Sequence, residues 1–328
     1  MNISLIGFGY WGPNYARIIN QLGSLTLRWI IDTNPQSFTG FPRRYPQTQF
    51  DSHIESVLND TATQAVIIAT PTTTHFQIAR ACFKAGKHVL IEKPLTTSAM
   101  QARQLIKLAQ RQRLTLMVGH TFIYNPAITY LKTYISQGKL GRLYYAYATR
   151  TNLGPVRTDV DAFWDLASHD ISTLIYLFDL EPIKVTATAG FYIHPHRADV
   201  GFATLKFSRG ILAHLHVSWL DPVKVRQLVL IGSKKMAIFE DTSGEEKLRI
   251  IDKGFKFHRR TQDFAAFAKL SLVTGDTLIP SIKSQEPLIN QLQAFIRSVK
   301  THHPPQADGN HGLKVVKILE KISRQLKP

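Results

Sequence analysis

The sequence predicts two domains of different class: a parallel, doubly wound α/β domain, then an α+β domain with a mostly antiparallel, open-faced sheet. Three observations predict this. The chain has 328 residues, more than one ordinary core of roughly 100–200 residues holds. Up to about residue 125, near-continuous apolar strands alternate with helical periods, the pattern of a parallel sheet covered on both faces. Beyond that point, long segments of period two take over, as half-buried antiparallel strands require. The boundary is placed at 122/123, giving domains 1–122 and 123–328.

In the first domain, Ile3–Ile6, Thr26–Ile31, Ala65–Ala69, His88–Ile91 and Thr115–Gly119 read as strands. Gly12–Leu22, His75–Ala85 and Thr97–Gln112 read as the helices between them. The second domain opens with a Tyr-rich helix near Pro126–Ser136. Its strands are Leu143–Asn152, Lys184–Ile193, Gly201–Phe207, Ile211–Trp219, Gln227–Ile231 and Lys247–Asp252. Turn signals at Ser208-Arg209-Gly210 and Ser243-Gly244 separate some of them. One helix, Phe163–Phe178, interrupts the strands, and helices near Pro287–Lys300 and Gly309–Gln325 close the chain.

Composition narrows the class. Hydrophobic residues make up 44% and charged residues 19%, which excludes a disordered chain, a collagen-like repeat and a coiled-coil rod. No run approaches the roughly 20 apolar residues of a membrane span. The start, Met1-Asn2-Ile3-Ser4-Leu5-Ile6, has no basic leader, so no signal peptide is expected. Cys82 is the one cysteine. With no intrachain disulfide possible, a reducing, cytoplasmic compartment is expected.

The net charge of +17 invites a nucleic-acid reading. Its distribution opposes that reading. Residues 1–208 hold 20 basic and 12 acidic side chains and 209–328 hold 20 and 11, with only short clusters such as Lys234-Lys235 and Arg259-Arg260. A solvated basic surface accounts for this spread, and a site for an anionic small molecule is the second reading. Neither a nucleic-acid partner nor a membrane is expected.

The sharpest local signal is Gly7-Phe8-Gly9-Tyr10-Trp11-Gly12, between the first strand and the first helix. Gly7 permits a tight turn, Gly9 lets the backbone approach a pyrophosphate, and Gly12 lets helix and strand pack closely. Asp32 follows at the end of the second strand, 20 residues beyond Gly12. A carboxylate there accepts hydrogen bonds from ribose hydroxyls and repels a 2′-phosphate, which favours NAD over NADP.

Three further patterns carry chemistry. Thr70-Pro71-Thr72-Thr73-Thr74-His75 puts small hydroxyls at a strand's carboxyl end, where ligands sit in a parallel sheet; His75 either caps a helix or faces the cofactor. Glu92-Lys93-Pro94 ends an apolar strand with charges. There Lys93 either polarises a substrate hydroxyl or pairs with Glu92 at the surface. Asp165 and His169, spaced i,i+4, share one helical face. They form either an acid/base pair or an intrahelical pair on a solvated face.

Taken in order, Gly7-x-Gly9-x-x-Gly12, Ala69-Thr70-Pro71-x-x-x-His75, Glu92-Lys93-Pro94, Gly119-His120 and Asp165-x-x-x-His169 resemble the glucose-fructose oxidoreductase / inositol dehydrogenase / MocA family. The resemblance runs over essentially the full length and implies a Rossmann domain with a nicotinamide cofactor. It implies Lys93 at the reacting hydroxyl, His169 as general acid/base and Asp165 as its partner or a substrate ligand. Gly7, Phe8, Gly9, Tyr10, Trp11, Gly12, Asp32, Thr70, Pro71, Thr72, His75, Glu92, Lys93 and His120 would line the cofactor. Lys93, Tyr124, Asn152, Arg157, Asp165 and His169 would meet the substrate. A finer similarity, in Gly7–Asn14 and Ala162–Ile171, is to the nucleotide-sugar subgroup that includes UDP-N-acetylglucosamine 3-dehydrogenases. The resemblance also implies a homodimer or homotetramer formed through the second sheet.

The resulting expectation is an NAD-dependent enzyme transferring hydride to or from a secondary hydroxyl of a sugar, nucleotide-activated in the first reading. A free sugar or inositol-type polyol is the alternative substrate. A non-catalytic cofactor-binding sensor is the reading from another class, opposed by the joint presence of Lys93, Asp165 and His169. Arg150 and Arg157, in the loop before the Asp165 helix, could hold an anionic substrate group or could be solvated charges. His214-x-His216 has a metal-compatible spacing on one strand face, but no third ligand accompanies it, and no metal is expected. Cys82 reads as a buried apolar residue.

Overall fold

The computed structural model describes residues 1–244, 246–257 and 270–326; Arg259-Arg260 lies outside them. The first part of the chain runs β1 (Asn2–Ile6), α1 (Gly12–Gln21), β2 (Thr26–Ile31), α2 (Phe41–Arg44), β3 (Gln49–Asp51), α3 (Glu55–Asn59), β4 (Ala65–Ile68), α4 (His75–Lys84), β5 (His88–Glu92), α5 (Ala99–Arg111) and β6 (Leu116–Gly119). The six strands form one parallel sheet in the order β3-β2-β1-β4-β5-β6, the order of a doubly wound dinucleotide-binding sheet. All of β4 and Val89–Ile91 of β5 are fully buried, which is why those strands read as unbroken apolar runs. Parallel pairing brings every carboxyl end to one edge. Gly7, Asp32, Thr70, Lys93 and His120 each follow such an end.

Further along come α6 (Pro126–Ser136), β7 (Leu143–Leu153), α7 (Ser168–Phe178), β8 (Lys184–Gly190), β9 (Val200–Lys206), β10 (Leu212–Ser218), β11 (Leu220–Gly232), β12 (Met236–Glu240), β13 (Leu248–Phe257) and β14 (Leu270–Leu278). The Asn125 side chain caps α6 by accepting from Ala127 N. The strands make one sheet, β14-β13-β12-β11-β7-β10-β9-β8, antiparallel throughout except for the β7–β10 pair. Exposure alternates along it. Ala146, Ala148, Ala203, Leu205, Ala213 and Leu215 are buried, while Tyr145, Tyr147, Phe202 and Leu212 are exposed.

Four expectations need correction here. The helix expected over Phe163–Phe178 begins as a π-helical turn, Phe163–Ala167, and becomes α-helical only at Ser168. Strands β3, β12 and β14 were not expected. The expected strand over Lys184–Ile193 stops at Gly190. The one over Gln227–Ile231 starts earlier, at Leu220.

Helices α8 (Pro287–Thr301) and α9 (Gly309–Ser323) end the chain. Two compact units result: Met1–Tyr124 with Gln285–Glu320, and Asn125–Ser284 with Lys321–Pro328. The division after Tyr124 lies close to the expected boundary, but most of the terminal segment belongs to the first unit, not the second. The reason is visible in polar contacts. Gln291 Nε2 donates to Tyr15 Oη at 3.0 Å, Asn290 Nδ2 donates to Tyr124 O at 3.0 Å, and Asp308 bridges to Met117 of β6. None of the described helices is long and apolar enough to cross a membrane.

Candidate active site

The glycine-rich turn is built by close approaches. Gly7 has φ +95°, and a Cβ there would lie 2.6 Å from the Ala69 carbonyl; one on Gly12 would lie 2.5 Å from Gly7 O. Gly9 differs, because a Cβ on it would meet nothing within 4 Å. The open space lies over the start of α1, which has no side-chain cap and no acidic residue in its first turn. Uncapped N–H groups at a helix start suit an anion. Asp32 closes the turn from β2: its Oδ2 accepts from Phe8 N at 2.6 Å and its Oδ1 from Asn34 N at 2.9 Å. Each carboxylate oxygen keeps a further lone pair for a ribose hydroxyl. These residues fit a dinucleotide. Phe8 is 3% exposed, its ring packed edge-on against Phe41 at 4.6 Å. Tyr10 is 86% exposed and Trp11 half-buried.

The segment after β4 carries Thr70, Pro71 and Thr72; Thr74 Oγ1 donates to Thr70 Oγ1 at 2.7 Å, and Thr72 is buried. His75 is fully buried, with Nδ1 3.0 Å from Pro94 O and Nε2 2.9 Å from Thr70 O. Both ring nitrogens thus lie at hydrogen-bond distance from backbone carbonyls.

Glu92 and Lys93 are both buried, Lys93 at 8% exposure, so they are not a surface pair at a strand exit. Glu92 Oε1 accepts from Tyr15 Oη at 2.6 Å and Oε2 from Lys93 N at 3.1 Å. Tyr15 Oη in turn accepts from Gln291 Nε2, whose Oε1 accepts from Thr121 Oγ1 at 2.7 Å. Burial first, then the Glu92 carboxylate, pushes the Tyr15 hydroxyl well above its ordinary range. His120 is 1% exposed and edge-on to His311 at 5.4 Å, and neither of its ring nitrogens has a hydrogen-bond partner among the described residues. Burial, reinforced by His311 and Lys93, holds it neutral, well below the usual histidine range. A neutral imidazole with unsatisfied nitrogens beside Lys93 suits a polar ligand. Tyr124 is buried, and its hydroxyl accepts from Ala307 N at 3.1 Å; that atom supports the first unit's core.

In the second unit, Asp165 and His169 are half-buried while Leu166, Ala167 and Ser168 between them are buried. Asp165 lies in the π-helical turn, where Oδ2 accepts from Trp219 Nε1 at 3.2 Å and Oδ1 pairs with Arg157 Nη1 at 3.3 Å. Arg157 also grips Asp159 with two bonds, at 2.8 and 2.6 Å. Its charge is thus spent on two carboxylates. Arg150 is not a solvated charge: it is buried in a two-bond pair with Asp170, at 2.9 and 2.8 Å. The Asn152 amide, near the end of β7, donates to Gly154 O two residues on. Asp161 opens the turn by accepting from Trp164 N at 3.0 Å, and burial pushes its carboxyl up to about 6 against those backbone bonds. The turn can seat against β9 because position 201 is glycine: a Cβ there would lie 2.1 Å from the Phe163 ring.

Tyr15, Gln291, Asp159, Asp161 and Trp219 were not expected from sequence. Their only signal was a polar atom at a position that pattern alone makes core or loop. His214 and His216 lie on the exposed sheet face, flanking the Phe202 ring, with centroids 6.2 and 4.6 Å away. No metal-binding cluster occurs among the described residues. Cys82 is buried, its thiol pushed up to about 12 by burial.

Comparison with known proteins decides the family. Residues 1–120 match the profile described as oxidoreductase family, NAD-binding Rossmann fold, and residues 128–238 match the GFO/IDH/MocA C-terminal domain. The chain belongs to the GFO/IDH/MocA oxidoreductase family. Its first unit is therefore an NAD-binding Rossmann domain, as the glycine turn and Asp32 indicated. Within the family it is 27% identical over 317 residues to UDP-N-acetylglucosamine 3-dehydrogenase of Acidithiobacillus ferrooxidans, covering 96% of this chain and 94% of the relative. The solved structure of that enzyme covers 99% of this chain and 97% of its own, at a TM-score of 0.80 and 25% identity. A second relative, myo-inositol 2-dehydrogenase of Thermotoga maritima, is 21% identical over 322 residues, with 95% and 92% coverage.

Proposed function

We propose that this oxidoreductase transfers hydride between NAD and a secondary hydroxyl of a sugar, specifically a nucleotide-activated one of the UDP-N-acetylhexosamine class. The full-length likeness to a UDP-N-acetylglucosamine 3-dehydrogenase carries this reading. The nicotinamide supplies the hydride acceptor. This chain's own residues do the rest. Gly9 and the open start of α1 receive the pyrophosphate, and Asp32 holds the adenosine ribose. Lys93 donates to the reacting hydroxyl and lowers the cost of its ionisation. His169 accepts the hydroxyl proton, an imidazole being suited to proton transfer near neutrality. Asp165, fixed by Trp219 Nε1 and Arg157, is a substrate ligand.

One observation favours a second reading, a neutral polyol of the inositol type. The two cations that could hold an anionic substrate group, Arg150 and Arg157, are each paired with carboxylates. A panel of UDP-sugars and free polyols, each with NAD and followed at the nicotinamide absorbance band, tests the two together. Turnover of a UDP-N-acetylhexosamine supports the first, and turnover of inositol alone the second.

The enzyme acts in the cytoplasm as a homo-oligomer, joined through the exposed face carrying Tyr145, Tyr147, Phe202 and Leu212. Contiguous apolar faces of that kind mark interfaces. Light scattering behind size exclusion tests the assembly: a single-chain mass near 37.1 kDa would remove it.

A further inference from the structure

His75 opens α4, fully buried, with a carbonyl oxygen at hydrogen-bond distance from each ring nitrogen: Pro94 O at 3.0 Å from Nδ1 and Thr70 O at 2.9 Å from Nε2. Carbonyl oxygens only accept. A neutral imidazole has one N–H and one lone pair, so it would serve one carbonyl and turn its lone pair on the other. An imidazolium donates to both. We propose that His75 is a positioning residue that carries a proton on each ring nitrogen and clamps the segment after β4 to the turn after β5.

The need for a clamp follows from the sheet. The β4–β5 ladder ends at Ile68 opposite Ile91. Beyond it the backbone no longer pairs the two strands, yet Thr70–Thr72 and Lys93 follow immediately. His75 replaces the missing rungs with two side-chain bonds to backbone. Burial disfavours the cation, and two charge-assisted bonds on opposite sides of the ring oppose that penalty. Of the elements against the ring, the β5 turn brings Glu92 and Lys93, and the segment Thr70–Thr74 brings hydroxyls without charge. On α4 itself the first other charged residue is Arg80. The inference rests on the dehydrogenase reading only in that it assigns those two segments to cofactor and substrate.

Nitrogen-15 correlation spectra of histidine-labelled full-length protein at neutral pH test the protonation directly. The His75 signals are assigned by their loss in His75→Gln, or, should that variant not fold, by through-space contacts of the ring to Pro94 and Thr70 in the wild type. Two exchange-protected N–H groups on His75 are expected; one N–H and one bare nitrogen overturns the proposal. NADH titration followed by fluorescence gives the functional arm. Loss of a charge-assisted bond at the clamp should weaken NADH binding about tenfold in His75→Gln. Unchanged affinity in a variant that has lost the doubly protonated signal removes the positioning role. Wild-type protein that binds no NADH while its His75 carries two protons contradicts the dehydrogenase reading and leaves the protonation result standing.

Discussion

Tyr15 and Glu92, 77 residues apart in sequence, meet through a buried 2.6 Å hydrogen bond between the Tyr15 hydroxyl and Glu92 Oε1. The bond ties α1, which opens at the cofactor turn, to the strand end that presents Lys93. Gln291 extends it to α8, donating to the Tyr15 hydroxyl at 3.0 Å. Tyr15→Phe leaves one carboxylate oxygen without its donor and the Gln291 amide without its acceptor. A loss of about 1–3 kcal/mol is expected, the scale for stranding buried polar groups. Urea unfolding of wild type and variant reads it as a lower midpoint at unchanged slope.

The Arg150–Asp170 pair makes a stronger expectation. Both side chains are almost fully buried and bonded twice. Asp170→Ala leaves a guanidinium charged and unpaired in the core, at a cost of about 3–5 kcal/mol. Replacing both partners with apolar residues should cost much less. Equal losses in the single and double variants would show that the charge is solvated.

Asp161 gives a pH dependence of opposite sense to an ordinary paired carboxylate. Its folded value is about 6 against an ordinary 3.8, so the native state binds the proton more readily than the unfolded chain does. The stabilisation is complete below about pH 4 and lost as pH rises through about 6. Asp161→Asn keeps an acceptor for Trp164 N and removes the charge. Its melting temperature should exceed that of wild type by a few degrees at pH 8, with the gap closing toward pH 4. A gap constant across that range would place Asp161 in solvent.

Cofactor choice turns on Asp32, whose carboxylate accepts from Phe8 N and would repel a 2′-phosphate. Wild type should bind NADH more tightly than NADPH. Asp32→Asn keeps an acceptor for Phe8 N and should narrow the gap, as read by fluorescence titration. Tighter NADPH binding by wild type would reverse the assignment.

The parallel sheet was legible because its strands are buried on both faces and so read as apolar runs, and the glycine turn because sterics demand glycine at positions 7 and 12. The homes of α8 and α9 were not legible. An amphipathic period states that a face is buried without saying against what, and the deciding contacts, Gln291 with Tyr15 among them, are polar and long-range. The i,i+4 rule joined Asp165 to His169, but the helix begins with a π-helical turn and Asp165 pairs with Arg157. Local spacing carries no information about Trp219, which arrives from the bend between β10 and β11. Arg150 and Arg157 looked alike in sequence; burial separated them, and only tertiary structure reports burial.

The central claim is alcohol dehydrogenation with His169 as proton acceptor. The rate of NADH formation from NAD and UDP-N-acetylglucosamine, in wild type and in His169→Ala, tests it most directly. Wild type should turn over, and the variant should be slower by roughly 10²–10⁴-fold with its NADH affinity preserved. Near-normal turnover in the variant, or no NADH from any sugar substrate with wild type, would contradict it.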